Sequence, residues 1–297
     1  MARAIKHIKA GLLNIEVIGT IPEHEPGRRR GGRCRPTCPA MQFYNDKRSW
    51  REVELWLAAN FGRHDFVYTL TYDDAHLPPD KKAAGKCYQK FIAKLRAVRK
   101  RRKEVLLYLY VTEGWHGSSA NRRFAGDGLL EDRRLHHHVV LNSIGPGDFE
   151  EIRSLWESVG GGYIRAEPVD VHYYRELAKY LTKEAREFGR AKPGERTWNK
   201  SRNLKEYDVE YIEIPSDSVT LSPPPGAVDY VQFSEKNPFG FADCIGARYL
   251  LFEEASVPQY SYTTGRKMGP PQNRPSGFVG KGGARERNEE CPKGVSN

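Results

Sequence analysis

Apolar residues recur along the chain at two spacings, which distinguish predicted helices from predicted strands. Four segments repeat apolar residues every three or four positions, as amphipathic helices do: residues 42–60, 88–98, 149–159 and 172–188. In the first, Trp50, Val53 and Leu57 share one face, and Phe61 with Gly62 marks the end of the helix. Each of these helices can bury one face and leave the other in solvent.

Other segments are rich in β-branched and aromatic residues, which predicts strands. These strands are expected within residues 66–72, 105–113, 136–142, 163–171 and 196–215. Strands and helices do not follow a regular βαβ alternation, so the predicted fold class is α+β, with a central, mainly antiparallel sheet flanked by helices.

Changes in composition along the chain suggest four parts. Residues 26–40 mix Gly, Pro and Arg without apolar periodicity, so residues 1–40 are interpreted as a basic N-terminal arm. Residues 41–214 form the main predicted domain, and residues 215–259 a small C-terminal extension. Residues 260–297 hold too few apolar side chains to offset chain entropy and are expected to form a disordered basic tail.

Charge and cysteine content narrow the class of protein. The chain has 48 Lys and Arg against 38 Asp and Glu, a net charge of +10 that favours a polyanionic partner such as nucleic acid. No apolar run approaches the roughly 20 residues of a membrane helix, so no membrane partner and a cytoplasmic location are expected. Five cysteines predict reduced thiols, and the C-x3-C spacing of Cys34 and Cys38 is unusual for zinc.

A His-x-His pair on a predicted strand is the first candidate for chemistry. Side chains alternate along a strand, so His136 and His138 point the same way, with Cα atoms roughly 6.5 to 7 Å apart. One cation fits between them, and Glu113, at the end of the preceding strand, is the natural third ligand. Such a pair is also common as ordinary surface or core histidines, and zinc is compatible with these ligands.

A second candidate lies on the helix predicted over residues 172–188. Tyr180 and Lys183 are three positions apart and share a helix face. A phenol is a weak nucleophile at neutral pH unless a cation or a base activates it, and Lys183 supplies a cation. The alternative is an ordinary amphipathic helix, with the aromatic ring in the core and the lysine in solvent.

Several short motifs follow one another in order along residues 41–214. They read FVYTLTYDDAHLP, a strand ending in Glu113, RRLHHHVVL, AKYLTK and WNKSRNL. This order resembles the successive motifs of rolling-circle replication initiators in the HUH endonuclease superfamily. The resemblance is greatest to the replication-associated proteins of small single-stranded DNA phages and of bacterial mobile elements.

The resemblance implies a ferredoxin-like or RRM-like fold and a DNA nicking and joining reaction. Carried over by position, His136 and His138 bind the metal with Glu113 as third ligand, Tyr180 is the nucleophile and Lys183 assists it. The cofactor would be Mg²⁺ or Mn²⁺. Tyrosine would attack single-stranded or extruded origin DNA, leaving a 5′-phosphotyrosyl link and a 3′-OH that primes replication. Host helicase and DNA polymerase are the implied protein partners.

Two departures from the family pattern matter. Glu176 stands four residues before Tyr180, where some phage initiators have a second tyrosine, so a single-tyrosine mechanism is expected. His137 occupies a position that is usually apolar or aromatic. A relaxase or transposase of the same superfamily is the near alternative. A non-catalytic protein that binds single-stranded nucleic acid is the alternative from another class.

Basic residues are expected to supply the affinity for DNA, because contacts to phosphates are largely electrostatic. The predicted DNA-binding residues are Lys94, Arg99, Lys100, Arg101, Arg102, Lys103, Arg133, Arg134, Lys179, Lys200 and Arg202. Trp115 and Trp198 are candidates for stacking on unpaired bases. The alternative for the run from Lys94 to Lys103 is a solvated helix face.

Overall fold

A computed structural model describes residues 3–20, 38–114, 124–125, 128–129, 134–183, 197–214, 219–235 and 244–252. Over these residues the fold is α+β, with four α-helices, two five-stranded antiparallel sheets and a two-stranded ribbon. The predicted fold class and its antiparallel character are confirmed. The described residues build two antiparallel sheets, of which the second is flanked by helices on both faces.

The elements are numbered in chain order. The helices are α1 (Pro39–Asn60), α2 (Lys81–Arg101), α3 (Asp148–Glu157) and α4 (Tyr174–Leu181). The first sheet contains β1 (Arg3–Ala10), β2 (Leu13–Thr20), β10 (Asp208–Glu213), β11 (Val228–Glu235) and β12 (Cys244–Leu250). The second contains β3 (Phe66–Tyr72), β4 (Tyr108–Glu113), β7 (His136–Leu141), β8 (Gly161–Pro168) and β9 (Asn199–Lys200). The ribbon pairs β5 (Phe124–Ala125) with β6 (Gly128–Leu129).

The second sheet separates two layers of helices. Its strand order is β8-β3-β7-β4-β9, and every neighbouring pair is antiparallel. Helices α2 and α3 pack on the face that carries Tyr68, Leu70 and Val139. Helices α1 and α4 pack on the opposite face, where they form a second hydrophobic cluster with Leu109, Val111 and Val140. Because side chains alternate along a strand, each strand contributes residues to both layers.

Local signals explain where the helices begin. Pro39 opens α1, where its missing N–H costs no helical hydrogen bond. The carboxylate of Asp80 caps α2 by accepting a hydrogen bond of 2.7 Å from the Ala83 N–H. Helix α3 starts after Gly147, and the Asp148 carboxylate accepts from the Ile144 N–H at 2.7 Å. Helix α4 ends at Leu181, whereas the sequence predicted a helix to residue 188. Residues 184–188 of that predicted helix lie outside the described residues.

The first sheet corrects the predicted domain boundaries. Residues 1–40 were expected to form an arm, but β1 and β2 are a hairpin inside a sheet of order β10-β1-β2-β12-β11. Gly11 has φ 56° in the turn and approaches the backbone of Ala58 so closely that a side chain would clash. The hairpin forms because alternating apolar residues bury Leu13 and Ile15 against α1.

Both ends of the described chain therefore contribute to one sheet. Strand β12 pairs with β2, so residues 244–250 of the predicted C-terminal extension belong to the same sheet as the hairpin. Residues 21–37, including Cys34, and the predicted tail at 260–297 lie outside the described residues. Cys38 is the residue that precedes α1. Among the helices that the structure describes, none combines the length and apolar character needed to span a membrane.

Candidate metal centre

Two strands of the second sheet bring the predicted ligands together. Strand β4 pairs with β7 so that Glu113 lies directly opposite His136. His138 is two residues further along β7 and therefore shares the face of His136. The Nε2 atoms of the two histidines are 3.2 Å apart. The Glu113 Oε2 atom lies 3.5 Å from the Nε2 of His136 and 3.6 Å from the Nε2 of His138.

These separations fit one metal ion. Ligand atoms bound at about 2.0 to 2.2 Å, with angles between a right angle and a trigonal one, lie about 3.0 to 3.7 Å apart. The three ligand atoms satisfy this spacing without rearrangement. The Oε1 atom of Glu113 is buried and lacks a hydrogen-bond partner among the described residues, so it is also available to a cation. The group formed by Glu113, His136 and His138 can hold a metal ion.

Hydrogen bonds behind the histidines orient their rings. Nδ1 of His136 donates to the Arg134 carbonyl at 2.8 Å, which leaves the lone pair of a neutral ring on Nε2. The Thr69 hydroxyl contacts Nδ1 of His138 at 3.1 Å, so Nε2 of that ring faces Glu113. Such contacts on the remote ring nitrogen are the usual support of metal-binding histidines.

The electrostatics of the group favour a charged carboxylate. Burial by itself would raise the pKa of Glu113, but hydrogen bonds from His136, His138 and Lys183 outweigh burial and hold this pKa well below its usual range. Burial alone would lower the pKa of His136, but this pKa is raised overall, chiefly by the hydrogen bond to Glu113. Glu113 is therefore ionised, which is the form in which a carboxylate binds a metal ion.

The end of α4 and the residues that follow it bring the other two candidate residues, Tyr180 and Lys183, to the same place. The Tyr180 hydroxyl lies 3.1 Å from Nε2 of His138, and 45% of the side chain is exposed. The Lys183 ammonium lies 2.8 Å from Glu113 Oε2 and 3.7 Å from the centroid of the Tyr180 ring. All five residues singled out from the sequence thus lie in one cluster, although β4, β7 and α4 are far apart along the chain.

His137 faces the opposite layer, as strand alternation requires. It is fully buried, and its ring nitrogens contact the Tyr72 hydroxyl at 2.6 Å and the Thr112 hydroxyl at 2.9 Å. Burial lowers the pKa of His137 to about 3, with a smaller contribution from the charges of His136 and His138. The ring is therefore neutral and links β7 to both neighbouring strands.

Most of the predicted DNA-binding cluster lies on the other side of the sheet from the metal ligands. It belongs to α2 and the turn after it, which pack on the layer opposite the histidine pair. Arg99 is 1% exposed and donates to the Asn142 backbone and side-chain oxygens at 2.9 and 3.0 Å. Its guanidinium is buried inside the protein, so the expected phosphate contact of Arg99 is corrected to a structural role.

Several remaining residues of that cluster are exposed but take part in contacts. Lys94 donates to the Ser158 side chain at 2.8 Å, and Arg102 forms a two-pronged ion pair with Glu151. The members exposed to solvent are Lys94, Lys100, Arg101, Arg102 and Lys103.

The other predicted DNA-binding residues belong to several different elements. Arg134 begins the segment leading into β7 and donates to the Tyr72 carbonyl at 2.7 Å and to Asp74. Lys179 lies one residue before Tyr180, with its ammonium 5.4 Å from the Trp50 ring. Lys200 lies over the Trp56 ring, and Arg202 is exposed. Arg133 and Trp115 lie outside the described residues.

Some neighbours of the site were not assigned from sequence. Trp50 of α1 has the cations of Arg51, Arg175 and Lys179 at 5.4 to 5.7 Å from its ring. No local pattern indicates this cluster, because its members come from two helices that meet only in the fold. Thr69 also adjoins the site, because strand register places its hydroxyl beside His138.

Comparisons with protein-family models, with curated proteins and with solved structures find no match for this chain. The interpretation of the site therefore depends on its own geometry and on the order of motifs in the sequence.

Proposed function

We propose that this protein is a metal-dependent DNA nicking and joining enzyme of the HUH type, which initiates rolling-circle replication of a phage, plasmid or mobile element. The observation that carries the proposal is the position of the Tyr180 hydroxyl, 3.1 Å from Nε2 of His138. A candidate nucleophile on a helix thus lies beside a ligand group that comes from two strands. If the ligand group and the tyrosine had only structural roles, nothing would require them to lie this close together.

The strand order of the second sheet also supports the proposal. Four of its strands follow the succession β3-α2-β4-β7-α3-β8, with spatial order β8-β3-β7-β4. This strand order agrees with the split βαβ topology of ferredoxin-like domains. It is the topology expected for an HUH endonuclease, in which the two central strands carry or adjoin the ligands.

The chemistry follows from the residues present. His136, His138 and Glu113 would hold Mg²⁺ or Mn²⁺, which acts as a Lewis acid towards a phosphate oxygen. The Tyr180 oxygen would form a bond to phosphorus while the bond from phosphorus to the 3′-oxygen breaks. The phenol proton is released, and the departing 3′-oxygen takes up a proton to become a 3′-OH. Lys183 would stabilise negative charge that develops at the phosphate.

The implied substrate is single-stranded or extruded origin DNA in the cytoplasm. The sequence has no Walker-type phosphate-binding motif, so strand separation would depend on a host helicase and extension on a host DNA polymerase. The net charge of +10 agrees with a polyanionic substrate.

The direct test is capture of the covalent intermediate. A single-stranded DNA library labelled at the 3′ end is incubated with protein and Mn²⁺ and resolved by denaturing electrophoresis. The 3′ fragment should remain attached to the protein, and the adduct should disappear in Tyr180→Phe. Tyr173→Phe is the matched control, because Tyr173 is exposed and precedes the same helix without contacting the ligands in the described structure.

The other outcomes point to different functions. Cleavage that survives Tyr180→Phe but is lost in His138→Ala would indicate a hydrolase that uses activated water. Retention of DNA that is sensitive to salt, with no adduct under any condition, would indicate a non-catalytic binder of single-stranded nucleic acid.

A further inference from the structure

The described helices cover only about half of the face of the second sheet that carries the candidate metal ligands. Over β4 and β7 it packs against α1 and α4, through Leu109, Val111 and Val140. On β3, Val67 still packs against the same cluster, whereas Thr69 and Thr71 are half-buried. On β8, Tyr163 and Arg165 are exposed. The uncovered half of the face adjoins the histidine pair directly.

Strand register places Tyr163 and Arg165 on that uncovered half. Thr69 is paired with His138 on one side and with Arg165 on the other, so all three residues share one face. Neighbouring strands are about 4.8 Å apart, which puts the Arg165 backbone about 10 Å from that of His138. Ile164, between the two exposed residues, is buried in the opposite layer.

A β-bulge fixes the position of Tyr163. The pairing of β3 with β8 shifts between Leu70 and Tyr72, so β8 carries one extra residue at this point. The Thr71 hydroxyl donates to the Tyr163 carbonyl at 2.7 Å. A Cβ on Gly162 would lie 2.6 Å from the Asp73 nitrogen, so the close approach of the strands depends on glycine. Bulges commonly redirect a side chain next to a functional site.

The exposed chemistry of this surface suits an unpaired base and its phosphate. Tyr163 is 74% exposed, the most exposed of the large hydrophobic residues in the described structure, and it is held on a strand rather than a free loop. An aromatic ring on an open sheet is a platform on which an unpaired base can stack. Arg165, which pairs with Glu167, offers a cation to the adjoining phosphate.

We propose that Tyr163 and Arg165 form a binding subsite for single-stranded DNA, in which the Tyr163 ring stacks on a base flanking the scissile phosphate and Arg165 binds the backbone. This subsite deepens the proposed nicking function and rests on it for the choice of DNA. The DNA strand would cross β8 and β3 towards Tyr180, on the face of the sheet opposite to the basic residues of α2.

The subsite is tested by fluorescence anisotropy with a labelled oligo-deoxythymidine strand in EDTA, where no nicking can contribute. Tyr163→Ala should weaken binding about 5- to 100-fold, the range for loss of one stacked base. Tyr163→Trp should retain affinity, whereas Tyr163→Leu should not, because stacking requires an aromatic face. Tyr211→Ala is the matched control, since Tyr211 is an exposed tyrosine on a strand of the other sheet.

The salt dependence of DNA affinity distinguishes the contribution of Arg165 from that of Tyr163. Arg165→Gln should reduce the slope of log affinity against log salt by about 0.7, the value for one phosphate contact in a single strand, while Tyr163→Ala leaves the slope unchanged. Binding of Tyr163→Ala within about twofold of the wild type, or an equal loss in Tyr211→Ala, would overturn the subsite. Tighter binding to the matching RNA strand would overturn the choice of DNA.

These outcomes are distinguishable from failure of the proposed function. If the wild type forms the covalent adduct and Tyr163→Ala binds DNA normally, the enzyme stands and the subsite is rejected. If no adduct forms but Tyr163→Ala loses affinity for single strands, the binding surface stands without the nicking activity.

Discussion

Thr69 lies directly behind His138, with its hydroxyl 3.1 Å from Nδ1 while the other ring nitrogen faces Glu113 and Tyr180. The two residues are paired across β3 and β7, so the contact is a consequence of strand register. A threonine on one strand therefore sets the direction in which a candidate metal ligand on the next strand points.

Thr69→Val should weaken metal binding without unfolding the protein. Valine has nearly the same shape but cannot hold Nδ1 of His138, and loss of such a supporting contact typically costs about 10- to 100-fold in metal affinity. Isothermal titration with Mn²⁺ measures the effect. Thr71→Val is the matched control, because Thr71 donates to the Tyr163 carbonyl instead of a histidine. Equal affinities for the wild type and Thr69→Val would show that His138 does not need this support.

Lys183→Met should slow formation of the covalent adduct by about 100- to 1,000-fold, the usual cost of removing one donor that stabilises transition-state charge. The ammonium lies beside both Glu113 and the Tyr180 ring, so its loss removes positive charge beside the proposed nucleophile. Single-turnover assays at saturating DNA measure the chemical step. Lys179→Met, one turn earlier on α4, should change affinity more than rate. A rate for Lys183→Met close to that of the wild type would remove Lys183 from the mechanism.

The sequence was informative about the site because each part of it is a local pattern. Alternation along β7 places His136 and His138 on one face, and helical spacing places Tyr180 with Lys183. The distances between these parts depend on tertiary packing, which a local pattern does not contain. The order of motifs, interpreted through the family resemblance, was the only indication that they would meet.

The first sheet shows what sequence patterns do not predict. Strand β1 carries Lys6, His7 and Lys9 among its apolar residues, which obscures the alternation and favours the interpretation as a basic arm. Its partner β10 lies about 200 residues further along the chain, and pairing over such a distance leaves no local signal. The burial of Arg99 was missed for a similar reason, because its partners Asn142 and Asp148 belong to other elements.

The buried histidine between the two ligands predicts a pH dependence of stability in metal-free protein. The pKa of His137 is lowered to about 3 in the folded state, chiefly by burial. As the pH falls below about 6.5, the unfolded chain binds a proton that the folded protein does not, so stability decreases. Between pH 7 and pH 5 this single group should remove about 2 kcal/mol from the free energy of unfolding.

Urea denaturation of the wild type and of His137→Gln, in EDTA at pH 7 and pH 5, measures this contribution. The variant is expected to be less stable at pH 7, because its contacts to Tyr72 and Thr112 are altered. Between pH 7 and pH 5, its free energy of unfolding should nevertheless fall by about 2 kcal/mol less than that of the wild type. Equal losses in the two proteins would show that His137 takes up its proton in the folded state.

Removal of the two arginines near the end of α2 should lower the free energy of unfolding by very different amounts. Arg99 is buried, bound to Asn142 and 3.6 Å from the Asp148 carboxylate, whereas Arg102 pairs with Glu151 at the surface. Arg99→Ala leaves a buried carboxylate unpaired and should lower the free energy of unfolding by about 3 to 5 kcal/mol. Arg102→Ala should cost about 1 kcal/mol or less. Urea denaturation compares the two, and similar losses would mean that the Arg99 side chain reaches solvent, where it would again be available to DNA.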